Sequence, residues 1–390
     1  MRPVSIVGAS MTKFGKFLDK SVKDLSAETV AGAMLDAGIT PNDVEMVAFG
    51  NAAGGVIHNQ EMIKAQVALQ GTGLDGLPMM SVENACASAS SAVHLAWLTV
   101  ASGQAEVALA IGAEKMTHPD KMKAFAALET AVDQDFLAQV AEESGSGSLF
   151  MDIYADSANA YMDASGATER DLAAAASKNH FHGSLNPKSQ YQKALSVDEV
   201  LASRQIAGPL TMLMCSPIGD GAAAVVLVSE EYANAHGMEQ VKLMASSVQS
   251  GKVEGPDDVV HRAAQRAYET AGIGPQDLNV VELHDAASSA ELIIYEEIGL
   301  AAPGEGPKLL ASGDTRLGGR VPANVSGGLV SKGHPIGATG CAQIVDLVDQ
   351  LRGRCGPRQV EGAQFALAEN AGGHLGFGPA AAVVTILGTA

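Results

Sequence analysis

Ala37-Gly38-Ile39-Thr40-Pro41-Asn42-Asp43-Val44 occurs a second time, little changed, as Ala271-Gly272-Ile273-Gly274-Pro275-Gln276-Asp277-Leu278. The match runs on without a gap: Glu45-Met46-Val47-Ala48-Phe49-Gly50-Asn51-Ala52-Ala53 pairs with Asn279-Val280-Val281-Glu282-Leu283-His284-Asp285-Ala286-Ala287. Each copy reads as a helix closed by glycine, a proline-containing turn, and a buried strand leading into a loop. Later, Gly219-Asp220-Gly221-Ala222-Ala223-Ala224-Val225-Val226 is echoed by Gly376-Phe377-Gly378-Pro379-Ala380-Ala381-Ala382-Val383-Val384. The offset is 234 residues at the first match (37 to 271) and 157 at the second (219 to 376), so the first half carries about 77 extra residues. Two blocks repeated in one order make the chain a duplication. Strands alternating with helices predict an α/β protein in which each half is a mostly parallel sheet covered on both faces. Stacked together, the halves form a five-layered α/β/α/β/α body. Residues 1–117 with 210–240 make the N-terminal half, 118–209 an inserted helical loop domain, and 241–390 the C-terminal half. Within the insert, helices are expected over 125–141, 149–165 and 169–182.

The composition narrows the function. A chain of 390 residues, 47% hydrophobic, is long enough for two packed halves. Alanine-rich texture with 4% aromatics and 43 glycines suggests helices packed closely on sheets. A net charge of -19 argues against nucleic acid or an anionic membrane as partner, and requires local basic groups for any anionic ligand. The four cysteines, at 86, 215, 341 and 355, show neither CxxC pairs nor zinc spacing, so no metal and no disulfide framework is expected. The N-terminal apolar run is too short for a signal peptide, and no run has the length of a membrane span. A cytoplasmic protein is the plain expectation.

The chemistry concentrates in two loops. Gly327-Gly328-Leu329-Val330-Ser331-Lys332-Gly333-His334-Pro335-Ile336-Gly337-Ala338-Thr339-Gly340 sets one histidine in a glycine-dense loop ahead of a helix. Glycines allow close backbone approach, and free amides at a helix start can hold developing negative charge. In Ser81-Val82-Glu83-Asn84-Ala85-Cys86-Ala87-Ser88-Ala89-Ser90, a short strand runs into a small-residue helix over roughly 86–102, with Val93, Trp97 and Val100 at helical spacing. A thiol in the first turn of that helix feels the positive end of the dipole, which is expected to lower its pKa. An inert buried cysteine is the plainer alternative. The duplication places Cys86 and His334 in corresponding loops near the pseudo-twofold axis, with His284 at the end of the repeated strand. A thiol, two imidazoles and glycine-rich loops are the parts of acyl transfer through a thioester.

Over its whole length the chain resembles the thiolase superfamily. The resemblance rests on NACAS around Cys86, SPIGDGAAAVV from Ser216, HDAA from His284, SGGLVSKGHPIGATG from Ser326 and NAGGHLGFG from Asn370. The HD and SKGHP forms are similar to the sterol-carrier-protein-type and archaeal-type branch. The resemblance implies the duplicated thiolase fold and an acyl-CoA C-acyltransferase that cleaves a 3-oxoacyl-CoA with coenzyme A, possessing no permanently bound cofactor. Cys86 would be the nucleophile and His334 its activator. His284 would contribute to one oxyanion hole, and the backbone amides of Cys86 and Gly372 would form the second. Ser216 would contact coenzyme A, with Lys121, Lys123, Lys178 and Lys188 of the insert as phosphate contacts. The implied partners are acyl-CoA and coenzyme A, a second copy in a homodimer, and a small OB-fold zinc-ribbon subunit. Acetoacetyl-CoA-forming condensation and an aldolase-type lyase acting on CoA thioesters are the alternative reactions.

Two departures from the family pattern matter. The second, acid/base cysteine that relatives carry at the position of Asn370, or of Ala286, is absent. A histidine, the leaving group or another thiol such as Cys341 must then serve. Ala287 stands where relatives usually have an aromatic residue, which would enlarge a pocket wall for a bulky aromatic substrate such as benzoylsuccinyl-CoA. Among the other histidines, His94 reads as packing, His58, His180 and His182 lack ligand spacing, and His374 is placed to face the site. Asp220 and Gly221 read as organisers of a turn.

Overall fold

The computed structural model describes residues 1–135, 137, 149–255, 258–376 and 378–390. The repeated segments adopt one local structure. Helix Val22–Ala37 ends on Gly38 at φ 70°, and helix Val259–Ala271 ends on Gly272 at the same angle, a left-handed conformation open to glycine. A 3-10 turn follows in each copy, Pro41–Asp43 and Pro275–Asp277. Asp43 and Asp277 cap them identically, accepting from the backbone N–H of Thr40 and Gly274 at 2.8 Å.

The strands are β1 (Val4–Met11), β2 (Met46–Gly50), β3 (Met79–Val82), β4 (Val107–Lys115), β5 (Gln205–Ala207), β6 (Leu210–Thr211), β7 (Asp220–Ser229), β8 (Val241–Ser250), β9 (Val280–Glu282), β10 (Phe365–Gly372) and β11 (Ala381–Thr389). Their order is β3-β2-β4-β7-β1-β8-β11-β10-β9. From the centre outward, β1-β7-β4-β2 in one half matches β8-β11-β10-β9 in the other, which is the duplication seen in space. Within the sheet the halves meet through a short antiparallel contact of Ser5 with Lys242 and Ile6 with Val241.

The expectation of a mostly parallel sheet is corrected. Only β2–β3, β2–β4 and β9–β10 pair in parallel, whereas β7 and β11 run antiparallel to both neighbours. The connection 373–380 between β10 and β11 is too short for a crossover helix, so those strands must run in opposite directions.

Helices Ser88–Ala101 and Thr339–Leu351 lie in one core with residues from both half-sheets, forming the central layer. Val22–Ala37 covers one half from outside, and Val259–Ala271 with Ser288–Glu297 covers the other. Ala89, Ala92, Ala96 and Ala342 let the central helices approach closely. The insert supplies helices Met122–Glu129, Leu149–Ser165, Glu169–Ser184 and Val197–Leu201, and the β5–β6 ribbon. The expected helix over 125–141 is thus shorter and starts earlier, and residues 136 and 138–141 lie outside the described set. Asp220 opens β7 instead of making a turn. Its buried carboxylate accepts from the N–H groups of Phe17, Met116 and Thr117, at 2.8–2.9 Å, and from Lys115. Among the described residues no helix is long and apolar enough to cross a membrane.

Candidate active site

Where the two central helices begin, Cys86 and His334 meet. From β3 the chain makes a 3-10 turn, Ala85–Ala87, before the helix proper starts at Ser88. Ala85 holds φ 47°, a left-handed conformation costing an alanine about 1–2 kcal/mol. It is held by its N–H donating to Glu83 Oε1 (2.6 Å) and by Ser88 Oγ–H donating to its carbonyl (2.6 Å). The bend delivers the Cys86 thiol into a cavity with 6% of the residue exposed.

That burial overturns one expectation. Desolvation pushes the thiol up to about 12, with the nearby Glu114 carboxyl acting in the same direction. The amides of Cys86 and Gly373 pull the other way but do not prevail. At neutral pH Cys86 is therefore a protonated thiol, which would need a base to react as a nucleophile.

An imidazole faces that thiol. His334 Nε2 lies 3.3 Å from Cys86 Sγ, and Nδ1 lies 2.7 Å from Thr339 Oγ1. The Thr339 hydroxyl donates its proton to the Pro335 carbonyl (3.1 Å), so its oxygen accepts from Nδ1–H. This fixes the tautomer and leaves a bare Nε2 facing the thiol proton. The His284 ring meets His334 edge-on at 5.0 Å, and its buried Nε2 has no hydrogen-bond partner. Burial lowers His284 to about 4; burial, then His284 and Lys332, hold His334 well below the usual imidazole range. Both rings are neutral at pH 7.

Buried charge braces these loops. Glu114 accepts from the N–H groups of Ala52 and Ala53 and from that of Gly337, tying the His334 loop to the loop after β2. Lys332 pairs with Asp346 at 2.7 Å and Glu282 at 3.7 Å. Asp285 accepts from the Leu329 N–H at 2.7 Å, joining the HD loop to the His334 segment.

Two cavities converge on Cys86. One, of about 830 Å³ including the solvent at its mouth, is lined by Phe150, Tyr154, Val260, His284, Ile294 and Glu369, among others that include Gly372. The second, of about 630 Å³ on the same measure, is lined by Phe125, Phe150, Ser216, Ala286, His334 and Ile336, among others. Among the described residues no lysine or arginine lines either one.

Most of the sequence-derived residues converge here. Cys86, His284, His334, Ser216 and Gly372 line the cavities, and so does His374. A Cβ on Gly372 would lie 2.2 Å from the Asn84 carbonyl oxygen and 3.0 Å from the Cys86 nitrogen, so glycine is required by space.

Others do not converge. Cys341 is fully buried at the start of the other central helix, its thiol 3.7 Å from the Ala89 carbonyl and raised by burial. It lines neither cavity. Asn370 points into the central layer, where its Oδ1 accepts from Ser90 Oγ (2.9 Å). Ala287 is fully buried in the outer core and bridges to Cys215, so the missing aromatic ring enlarges no cavity wall. Lys178 is no phosphate ligand, because it is buried against Glu291, Tyr295 and the Ala323 carbonyl. Lys188 reaches the Met11 carbonyl (2.6 Å) and Lys123 that of Ile57 (3.3 Å); Lys121 is exposed. His58, His180 and His182 bond backbone carbonyls, and His94 lies tilted against Trp97 while bonding Ser246.

The donor atoms of Cys86, His284 and His334 fall within 4.8 Å of one another, close enough to hold a thiophilic ion. We assign no metal to them.

Sequence reading missed Glu369 and Glu114. Each is the one carboxylate of a mainly apolar strand, FALAENAG and VALAIGAEK, and that was the available signal.

The thiolase N-terminal domain matches residues 4–231, and the thiolase C-terminal domain-like family matches 245–389. The chain belongs to the thiolase family. It is 38% identical over 380 residues to an acetyl-CoA acetyltransferase of Methanothermobacter thermautotrophicus, covering 96% of this chain and 97% of that one. Sterol carrier protein 2 of Bos taurus is 37% identical, covering 95% of this chain and 70% of that protein. The benzoylsuccinyl-CoA thiolase subunit BbsB of Thauera aromatica is 38% identical, covering 92% of both. Among solved structures, an Ltp2-ChsH2(DUF35) aldolase overlays with TM-score 0.81 at 25% identity, covering 99% of this chain and 98% of that chain. Human mitochondrial 3-ketoacyl-CoA thiolase in complex with CoA shares the fold with TM-score 0.75, at 18% identity, covering 100% of this chain and 98% of that one. This thiolase is a thiolase-type acyltransferase with coenzyme A as co-substrate.

Proposed function

We propose that this thiolase cleaves a 3-oxoacyl-CoA with coenzyme A through an acyl-Cys86 intermediate, and that the transferred acyl group is bulky and apolar. The observation that carries the reading is the bare Nε2 of His334 facing the Cys86 thiol at 3.3 Å. His334 takes the thiol proton as sulfur attacks the keto carbon, and the unpartnered Nε2 of His284 is free to serve the oxyanion side. The amides of Cys86 and Gly372 form the second oxyanion hole in this reading, and Ser216 contacts coenzyme A in the smaller cavity. Condensation uses the same groups in reverse.

The larger cavity, with its Phe150, Val260 and Ile294 walls, suits a benzoyl-sized group. Benzoylsuccinyl-CoA is our choice among such substrates, supported by that cavity and by likeness to BbsB.

A homodimer through the open edge of β3 belongs to the same reading. Met80 on β3 is exposed, as are Met62 and Ile63 beside it. A small OB-fold zinc-ribbon subunit is proposed as a further partner, because one structural neighbour is the Ltp2-ChsH2(DUF35) aldolase and BbsB is named a subunit. Four free cysteines fit a cytoplasmic enzyme. The division into residues 1–117 with 210–240, 118–209 and 241–390 is retained.

Intact-mass spectrometry after mixing with a panel of 3-oxoacyl-CoA thioesters, one of them aromatic, tests the reading against a Cys86→Ser control. An acyl adduct on Cys86 is expected, fastest with the aromatic donor. Absence of any adduct, with retro-aldol cleavage of a CoA thioester instead, would favour the aldolase.

A further inference from the structure

The missing second cysteine leaves the carbon-bound proton without a carrier, and one buried group in the larger cavity has no other task. β10 is pleated so that Leu367, Glu369 and Ala371 share a face, opposite to Asn370. Leu367 and Ala371 pack in the outer core, and Glu369 is the single charged residue on that face, near the strand end that meets the Cys86 turn. Its side chain is fully buried, yet it lines the cavity shared by Cys86 and His284. Oε2 accepts from the His284 backbone N–H at 3.0 Å, which fixes the carboxyl against the backbone of the HD loop. Oε1 has no partner.

We propose that Glu369 is the acid/base of this thiolase, carrying the proton that a second cysteine carries in its relatives. The inference rests on the thiolysis reading above. In cleavage, Cys86 sulfur bonds to the keto carbon, the bond between the keto carbon and C2 breaks, and its electron pair stays on C2. The Glu369 carboxylic acid gives its proton to C2, releasing the CoA thioester that carries C2 (acetyl-CoA from an unbranched donor) and leaving a carboxylate. Incoming coenzyme A returns a proton to Glu369 as its thiolate attacks acyl-Cys86, and the expelled Cys86 sulfur recovers its proton from His334. Protons balance over the cycle and no further reactant is needed. Burial raises the Glu369 carboxyl to about 7, so both protonation states are accessible near neutrality. The titratable groups facing it across the cavity are Cys86, Tyr154, His284, Glu297 and His374.

The test uses Glu369→Gln and Glu369→Asp with benzoylacetyl-CoA as probe. Turnover and solvent-deuterium incorporation at C2 of the released acetyl-CoA should both fall about 10²–10⁴-fold in Glu369→Gln. Alkylation of Cys86 by iodoacetamide should stay within about threefold of wild type, because His334 rather than Glu369 serves the thiol. Glu369→Asp should recover part of the exchange with a displaced pH optimum. Turnover of Glu369→Gln within about tenfold of wild type overturns the proposal. So does a parallel loss of alkylation and turnover that aspartate fails to rescue, which marks a structural role. A wild-type enzyme that alkylates normally but never forms acyl-Cys86 removes the thiolysis reading and this inference with it.

Discussion

Replacing Glu369 by glutamine should make the protein more stable at pH 8 while slowing it. The carboxyl stands at about 7 in the folded protein and at 4.5 as an ordinary side chain, with burial as the cause. Between those values the unfolded chain has released the proton while the folded protein still holds it, so stability falls as pH rises through this window. Above pH 7 both states are ionised and the full penalty, about 3 kcal/mol at 1.36 kcal/mol per pH unit, is in force. At pH 5.5 only about 1 kcal/mol of it has developed. Glutamine keeps the shape and an oxygen for the His284 N–H but carries no charge. Its advantage should therefore grow from about 1 kcal/mol at pH 5.5 to about 3 kcal/mol at pH 8. Paired thermal scans of wild type and variant at both pH values, at one scan rate, read this as a midpoint difference of a few degrees that widens with pH. A variant less stable than wild type at pH 8, or a difference that does not change with pH, would refute the argument, since either means that the carboxyl ionises at its ordinary value. Gain of stability with loss of turnover is the pattern of a group held in place for chemistry.

Two further substitutions probe the backbone and the outer core. Gly372→Ala puts a methyl 2.2 Å from the Asn84 carbonyl oxygen, and reaching the 3.0 Å floor for such contacts moves the Cys86 turn by about 0.8 Å. A displacement of that order should lower kcat/KM about 10²-fold and destabilise the fold by about 1–3 kcal/mol, both measurable by thiolysis assay and thermal scan. Ala287→Phe overfills a core that is already closed. It should cost about 1–3 kcal/mol of stability yet leave the ratio of rates for large and small acyl donors unchanged; selective loss of large donors would return Ala287 to the cavity wall.

The duplication, the order of elements and the Cys86, His284 and His334 set were legible in the chain because they are written locally. Gly38 and Gly272 close their helices at the same angle in residues that match one for one. The glycine loop around His334 announces close backbone approach by composition alone. Strand direction was less accessible: β7 and β11 turn antiparallel through connection lengths and partners set by the whole sheet. The side chains whose place stayed open in the sequence depended on which face of an element each occupies and what covers it. Lys178, Ala287, Cys341 and Asn370 all proved to be inside, held by groups about 70 to 280 residues away in the chain or facing such groups. The thiol's ionisation followed the same logic, since a helix dipole is a local effect whereas desolvation sums over everything packed around Cys86. Glu369 stood in plain view as a charge in an apolar strand. Its unpartnered oxygen, and the cavity it shares with Cys86, exist only once two distant halves close around the same space.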